Sequence, residues 1–354
     1  MRPLGWGFIG ASLWAGERLV PAVQATDGAN AVAVFSTSPE RGRRFAKEHG
    51  LARAYDSLDE LLADPDVDVV YVSTTNDLHA AQTMAAAAAG KHVLCEKPLA
   101  TTLDDARDMV AACERAGVVL AANHHIRGAA TIEAIRQMVA EGAIGDVVSA
   151  QIAFLSLLPE RMRSWRLERP QAGGGVVLDL TVHSADTIRS VLGDEIVEVT
   201  AVTSSGALGQ GVVEDTAMGV MRTARGPLVG FHDSFLVAHA SNELEIYGTD
   251  GSVFARDVLG PDPTGRVWLR RGETTSEVEI SGRWPLYENT VRRFMAAVRG
   301  EGTVLASGHD GVASLQVALA TLESAREHRP VTVYPAGPSG AEPPSSTSRA
   351  RSAR

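Results

Sequence analysis

Gly5-Trp6-Gly7-Phe8-Ile9-Gly10-Ala11-Ser12-Leu13-Trp14-Ala15 is the stretch on which the fold turns, and it holds two competing registers. Gly5 to Gly10 spells G-x-G-x-x-G, but only four residues precede it, too few for the strand that must feed a phosphate-binding turn. One step further on, Trp6 to Ile9 is an apolar strand and Gly10 to Ala15 reads G-x-S-x-x-A ahead of a helix. In this register Gly10 serves the tight turn and Ala15 allows close packing of helix on strand. Ser12 stands where a second glycine usually lets phosphate approach, so its hydroxyl is a candidate donor to a phosphate oxygen. A glycine turn after a strand is often only a turn, and the neighbouring segments must decide.

Working outward, apolar runs at Trp6 to Ile9, Ala31 to Phe35, Val67 to Val72, His92 to Cys95 and Val118 to Ala122 alternate with helix-like segments. Their richness in Val and Ile is that of strands covered on both faces of a parallel sheet. The helices carry their own punctuation. Ser38 is placed to cap, Pro39 to open and Gly50 to close one. Leu78 to Ala89 closes at Gly90, and Leu103 to Ala116 starts after Thr102 and closes at Gly117. A further helix is expected over Thr131 to Glu141.

Beyond it the texture changes to short alternating segments between Val147 and Ile280, the pattern of an open, mostly antiparallel sheet. Strands are expected at Val147 to Phe154, Val197 to Val202, Ala217 to Met221, Leu228 to Phe235, Leu244 to Tyr247 and Val267 to Leu269. Helices are expected at Val176 to Val191, Tyr287 to Arg299 and Gly311 to His328. The expected architecture is therefore α/β. A doubly wound parallel sheet occupies residues 1–125 and an α+β unit with an open sheet residues 126–334. Residues 335–354, rich in Gly, Pro, Ser and Ala, read as a disordered tail.

The 354 residues suffice for two cores, and 45% hydrophobic with 21% charged residues is ordinary globular composition. A net charge of -10 without a basic cluster argues against nucleic acid as a partner. No apolar run approaches the ~20 residues of a membrane span, and no leader-like segment precedes the first strand. Cys95 and Cys113 are too few for a disulfide framework, so a reducing cytoplasm is the expected home. Lys47, Lys91 and Lys97 are the only lysines among many arginines.

The end of the second strand bears on the ligand. NAD-binding chains usually place an acid there, about 20 residues past the glycine turn, for the ribose 2′-hydroxyl. Here the chain runs Phe35-Ser36-Thr37-Ser38-Pro39-Glu40-Arg41, offering hydroxyls and an arginine suited to a 2′-phosphate. Ser38 can cap a helix while Ser36 and Arg41 bind, so the expected cofactor is NADP(H).

Two constellations carry candidate chemistry. Glu96-Lys97-Pro98 follows the strand ending at Cys95, at the carboxyl edge where open α/β sheets bind ligands. An ammonium there can hydrogen-bond a substrate oxygen and take part in proton transfer; most lysines in loops are merely solvated. The second is Gly173-Gly174-Gly175-Val176-Val177-Leu178-Asp179-Leu180-Thr181-Val182-His183. On a helix Asp179 and His183 share a face. A carboxylate beside an imidazole orients it and raises its pKa, which suits a general acid. A surface ion pair or two metal ligands are the alternatives; with no third ligand in evidence, no metal is expected. Trp165-Arg166 offers an aromatic wall and a hydrogen-bond fork for a polyol, although Trp165 also suits a core. His124, His125, His232 and His239 read as structural.

Together these residues resemble the glucose-fructose oxidoreductase and inositol dehydrogenase family. The resemblance runs to about Tyr334 through Gly10-Ala11-Ser12, Ser73-Thr74-Thr75-Asn76-Asp77-Leu78-His79, Gly90 to Ala100, Asn123-His124-His125, Trp165 to Pro170 and Ala172 to Gly175. The pocket-rim segment Phe154 to Ser164 is less familiar. The resemblance implies a Rossmann domain joined to a sheet domain that also serves oligomerisation. It implies that Lys97, Asp179 and His183 surround a substrate carbonyl. It implies NADP contacts from Gly10, Ala11, Ser12, Leu13, Trp14, Ser36, Thr37, Arg41, Thr74, Thr75, Asn76, Asp77, Leu78, His79, Glu96, Lys97, Asn123, Trp165, Arg166 and Tyr287. The expected reaction is NADPH-dependent reduction of a cyclic sugar ketone, 1,5-anhydro-D-fructose before others. In that expectation His183 donates the proton, Asp179 orients it and Lys97 polarises the forming alkoxide or relays to it. The same fold also serves dehydrogenases of cyclitols such as myo-inositol, sugar-sensing regulators, and glycosidases that recycle a bound nicotinamide. A homo-oligomer through the open sheet is a further expectation.

Overall fold

The computed structural model describes residues 2–208, 210–262 and 264–334; the tail read as disordered lies outside them. Leu4–Ile9 forms β1, with Gly5 and Gly7 inside it. The chain turns at Gly10, whose φ of +103° is open to glycine but strained for other residues. The literal G-x-G-x-x-G is thus strand, and the turn falls in the later register. The following helix opens as a π turn, Ala15–Leu19, before α1, Val20–Ala25.

The winding continues through β2 (Ala29–Phe35), α2 (Pro39–His49), β3 (Arg53–Tyr55), α3 (Leu58–Ala63), β4 (Val69–Val72), α4 (His79–Ala88), β5 (His92–Cys95), α5 (Leu103–Ala116) and β6 (Leu120–Ala122). The hydroxyls of Ser38 and Thr102 cap α2 and α5, and Gly50 and Gly117 close them in the left-handed conformation. β3 and α3 were not anticipated. Three half-buried residues at a sheet edge show no apolar run, and pairing with β2 makes β3 a strand. The parallel order β3-β2-β1-β4-β5-β6 reverses direction between β1 and β4, which opens a crevice at their carboxyl ends.

The second half contributes α6 (Ala130–Ala140), β7 (Val147–Leu155), α7 (Trp165–Glu168), a π turn (Val177–Thr181) running into α8 (Val182–Leu192), β8 (Ile196–Ser204), β9 (Thr216–Thr223), β10 (Leu228–Ser234), β11 (Glu243–Gly248), β12 (Ser252–Arg256), β13 (Arg266–Arg271), β14 (Thr274–Glu277), α9 (Leu286–Val298), α10 (Gly308–Glu327) and β15 (Val331–Thr332). Among the described residues the second sheet is nine-stranded, β14-β13-β12-β11-β7-β10-β9-β8-β15, antiparallel except where β7 runs with β10. One face is covered by α8 and α10. The other is open, as alternation on β9 shows: Ala217 and Met221 are buried while Met218 and Val220 are exposed.

The last two helices return to the parallel sheet. Phe294 of α9 packs its ring 5.5 Å from Trp6, and Ser307, which caps α10, bridges Ala121 of β6. The two sheets therefore share a continuous apolar core, and the boundary expected near residue 125 is crossed from behind. Among the described residues no helix is long and apolar enough to cross a membrane.

Candidate active site

The strand order aligns the loops after β2, β1, β4, β5 and β6 along one edge, and five expected clusters of contact residues fall on those loops. At the β1 turn a Cβ on Gly10 would lie 3.2 Å from the Ser73 carbonyl oxygen, so the two loops approach to backbone distance. Ala11 and Trp14 are partly buried here, and Leu13 is 40% exposed. Ser12 differs from expectation. Its hydroxyl accepts from the Ala15 amide at 3.1 Å and donates to Ser73 Oγ at 2.9 Å, so it caps the helix rather than pointing outward.

At the end of β2 the hydroxyl of Ser36 accepts from Arg41 Nε at 3.3 Å, while Ser38 caps α2 through the Arg41 amide. Ser36 thus holds the guanidinium beside the exposed Thr37. This is a hydroxyl-and-guanidinium cradle.

The loop after β4 divides its residues. Thr75 is partly buried, and Asp77 and Leu78 are exposed. Thr74 donates to Gln82, and Asn76 donates across to the Gly173 carbonyl at 3.0 Å, tying the two halves together. His79 departs from the expected contact. It is fully buried, with Nδ1 3.0 Å from the Pro98 carbonyl. Burial lowers its pKa, so it is a neutral support beneath the edge. Glu96 also turns inward, accepting from the Tyr71 hydroxyl and from Asn123 Nδ2 at 2.6 Å. Burial raises its pKa against the lowering effect of those donors. Asn123 Oδ1 is buried without a partner.

Lys97 is the centre of charge. Its ammonium donates to the Asp179 carboxylate at 2.5 Å and to the Asp179 backbone carbonyl at 2.8 Å. Arg166, stacked 4.6 Å over Trp165, brings its Nε within 3.5 Å of the other Asp179 oxygen. Burial alone would push the Asp179 carboxyl up, but Lys97 and then Arg166 outweigh it and hold it below the usual carboxylate range. The expected pairing of Asp179 with His183 is replaced. Asp179 lies in a π turn, His183 in the α-helix beyond it, and both carboxylate oxygens face cations.

His183 instead meets rings. His125 and His124 stand edge-to-face at 5.2 and 5.5 Å, and Phe154 tilts at 6.0 Å. Burial, then the positive Lys97, then the other imidazoles push His183 well below the ordinary histidine range. That is opposite to the expected upward shift. The two neighbours read as structural are thus part of the site. His125 stacks on Tyr287 at 4.7 Å, and Tyr287 meets Trp14 edge-on, bringing α9 to the glycine turn. Their position in the Asn123-His124-His125 run after β6 was the available signal.

A glycine turn closed on a neighbouring backbone, the Ser36–Arg41 cradle and an unpartnered Asn123 oxygen fit a dinucleotide lying along the edge. Fold and site define an oxidoreductase of carbonyl and CH–OH groups that uses a nicotinamide dinucleotide. Residues 4–124 match the GFO/IDH/MocA oxidoreductase family with its NAD-binding Rossmann fold, and residues 132–254 match the GFO/IDH/MocA C-terminal domain. The chain is 48% identical to the 1,5-anhydro-D-fructose reductase of Ensifer adhaerens, over 90% of this chain and 96% of that protein. The aldose-aldose oxidoreductase of Caulobacter crescentus, solved with glycerol, superposes with a TM-score of 0.86 at 28% identity, covering 94% of this chain and 100% of that one. A levoglucosan dehydrogenase solved with NADH and levoglucosan superposes with a TM-score of 0.82 at 26% identity, covering 94% and 100%. The chain belongs to the GFO/IDH/MocA oxidoreductases.

Proposed function

We propose that this protein reduces the ketone of a cyclic sugar with NADPH, taking 1,5-anhydro-D-fructose to 1,5-anhydro-D-mannitol. The observation that carries the substrate is 48% identity over 90% of the chain to a reductase of that sugar. The preference for NADPH rests on Arg41 held by Ser36 where NAD-binding chains carry an acid.

A dinucleotide held along this edge would supply hydride to the carbonyl carbon. Lys97 supplies the proton to the carbonyl oxygen, reversing the order of roles anticipated for Lys97 and His183. An imidazole buried beside an ammonium is neutral at neutral pH and has no ionised proton to give. Its remaining N–H or lone pair can still orient the sugar hydroxyl. Asp179, itself paired with Arg166, holds the Lys97 head group, and negative charge building on the oxygen is met by a preorganised cation. The ring of Phe154 beside His183 offers an apolar wall to the C–H face of a sugar.

We assign the protein to the cytoplasm, where NADPH is available and the buried thiols of Cys95 and Cys113 stay reduced. We further assign it a homo-oligomer through the open sheet face, where Val202, Met218, Val220 and Leu228 are exposed on adjacent strands. A panel of ketoses and cyclitols assayed with NADPH and NADH in both directions tests the reading. NADPH oxidation with 1,5-anhydro-D-fructose should exceed all other combinations, and faster turnover of a cyclitol with NAD would overturn it.

A further inference from the structure

The π turn at Val177–Thr181 interrupts the helical ladder where Asp179 gives both its carbonyl and its carboxylate to Lys97. Breaking the ladder is what leaves a helix carbonyl open to an outside donor. The surroundings of the turn are tied on both sides. Beyond the turn, in the first turn of α8, the Ser184 hydroxyl donates to Asp233, buried on β10, at 2.7 Å. At the near end the Val177 amide donates to the Glu214 carboxylate at 3.0 Å, and the Val176 amide donates to the Glu214 carbonyl at 2.9 Å.

Glu214 stands on a firm base. The next residue, Asp215, accepts from the amides of Ala207 and Leu208 at 3.0 and 2.9 Å and pairs through its backbone with Ser204 and Phe235. Gly175 makes room for the contact: its φ is +105°, and a Cβ there would lie 2.2 Å from Glu214 Oε1. The third glycine of Gly173-Gly174-Gly175 thus has a specific occupant of the space it leaves. We propose that Glu214 is a positioning residue for the reaction, capping the π turn so that the Asp179 carbonyl and carboxylate stay in register with Lys97. Burial pushes the Glu214 carboxyl up to about 6, so the cap works through the acceptor oxygen and does not need full charge.

The proposal rests on the reading of Lys97 and Asp179 as the proton-handling pair. Its test compares Glu214→Ala, Glu214→Gln, Glu214→Asp and Lys97→Ala for kcat and KM with 1,5-anhydro-D-fructose, NADPH affinity by tryptophan fluorescence, and thermal midpoint. Glu214→Ala should lower kcat about tenfold or more, as expected when a catalytic group shifts by a fraction of an ångström. KM and NADPH affinity should stay within about twofold. Glu214→Gln keeps an acceptor oxygen and should recover most of the loss. Glu214→Asp, one methylene short, should not, and it carries the test if Glu214→Ala fails to fold. Wild-type kcat in Glu214→Ala, or loss in Glu214→Gln equal to that in Glu214→Ala, would overturn the positioning role. Wild-type kcat in Lys97→Ala would instead overturn the underlying reading.

Discussion

The turn after β1 and the π turn before α8 meet at one crevice but are built by different means. The first is set by backbone conformation: Gly10 at positive φ, Ser12 capping, Ser38 and Gly50 bounding the next helix. Its geometry is complete within short stretches of chain. The second is set by charge across distance, with Lys97 and Asp179 separated by 82 residues and Arg166 arriving from a third element. On the function proposed above, local backbone makes the place to bind and long-range charge the place to react. Perturbing the first should move affinity, and perturbing the second should move turnover.

The largest expected effect breaks the charged region alone. Lys97→Ala should lower kcat by about 10³-fold, the scale of a lost proton donor, with NADPH affinity within about threefold. A matching loss of NADPH affinity would mean that the two regions are not separable.

Burial of the charged region has a second signature in acid. His124 is pushed down to about 4 and His125 to about 3, chiefly by burial. Unfolded histidines titrate near 6.5, so below that pH the unfolded chain binds more protons than the folded one. The stabilisation is complete above ~6.5 and is lost as pH falls towards the folded values, by about 3 kcal/mol for His124 alone between ~6.5 and ~4. Urea midpoints at several pH values should show this slope, and His124→Asn should flatten it. An unchanged slope in the variant would remove His124 from the account.

The smallest effect sharpens the binding region. Arg41→Ala should raise the KM for NADPH about tenfold, the worth of a charge-assisted contact, and leave NADH kinetics and kcat nearly unchanged. Equal effects on both dinucleotides would deny Arg41 its place at a 2′-phosphate.

The same contrast explains what could be read in the sequence. The register of Gly10 to Ala15, the caps of α2 and α5 and the position of Lys97 after β5 follow from local pattern, and they stand where expected. The partners of Asp179 did not follow, because i,i+4 spacing to His183 is a helical argument and the π turn intervenes. His79 was expected at the edge only because the family resemblance covers Ser73 to His79, yet the start of α4 turns it inward while Asp77 and Leu78 stay exposed. Glu214 carried no signal, since its meaning comes from Gly175, 39 positions earlier in the chain. β3 and β14 were silent for another reason: short edge strands, uniformly half-buried in β3 and uniformly exposed in β14, have no alternation to betray them.

The central claim is that the reacting proton sits on Lys97 while His183 is neutral. The direct measurement is the 15N chemical shift of the His183 ring nitrogens through a pH titration of the folded protein, assigned with His183→Gln. The account predicts neutral-imidazole shifts that do not move between about pH 6 and 8. A titration with its midpoint inside that window would return the proton to His183 and contradict it.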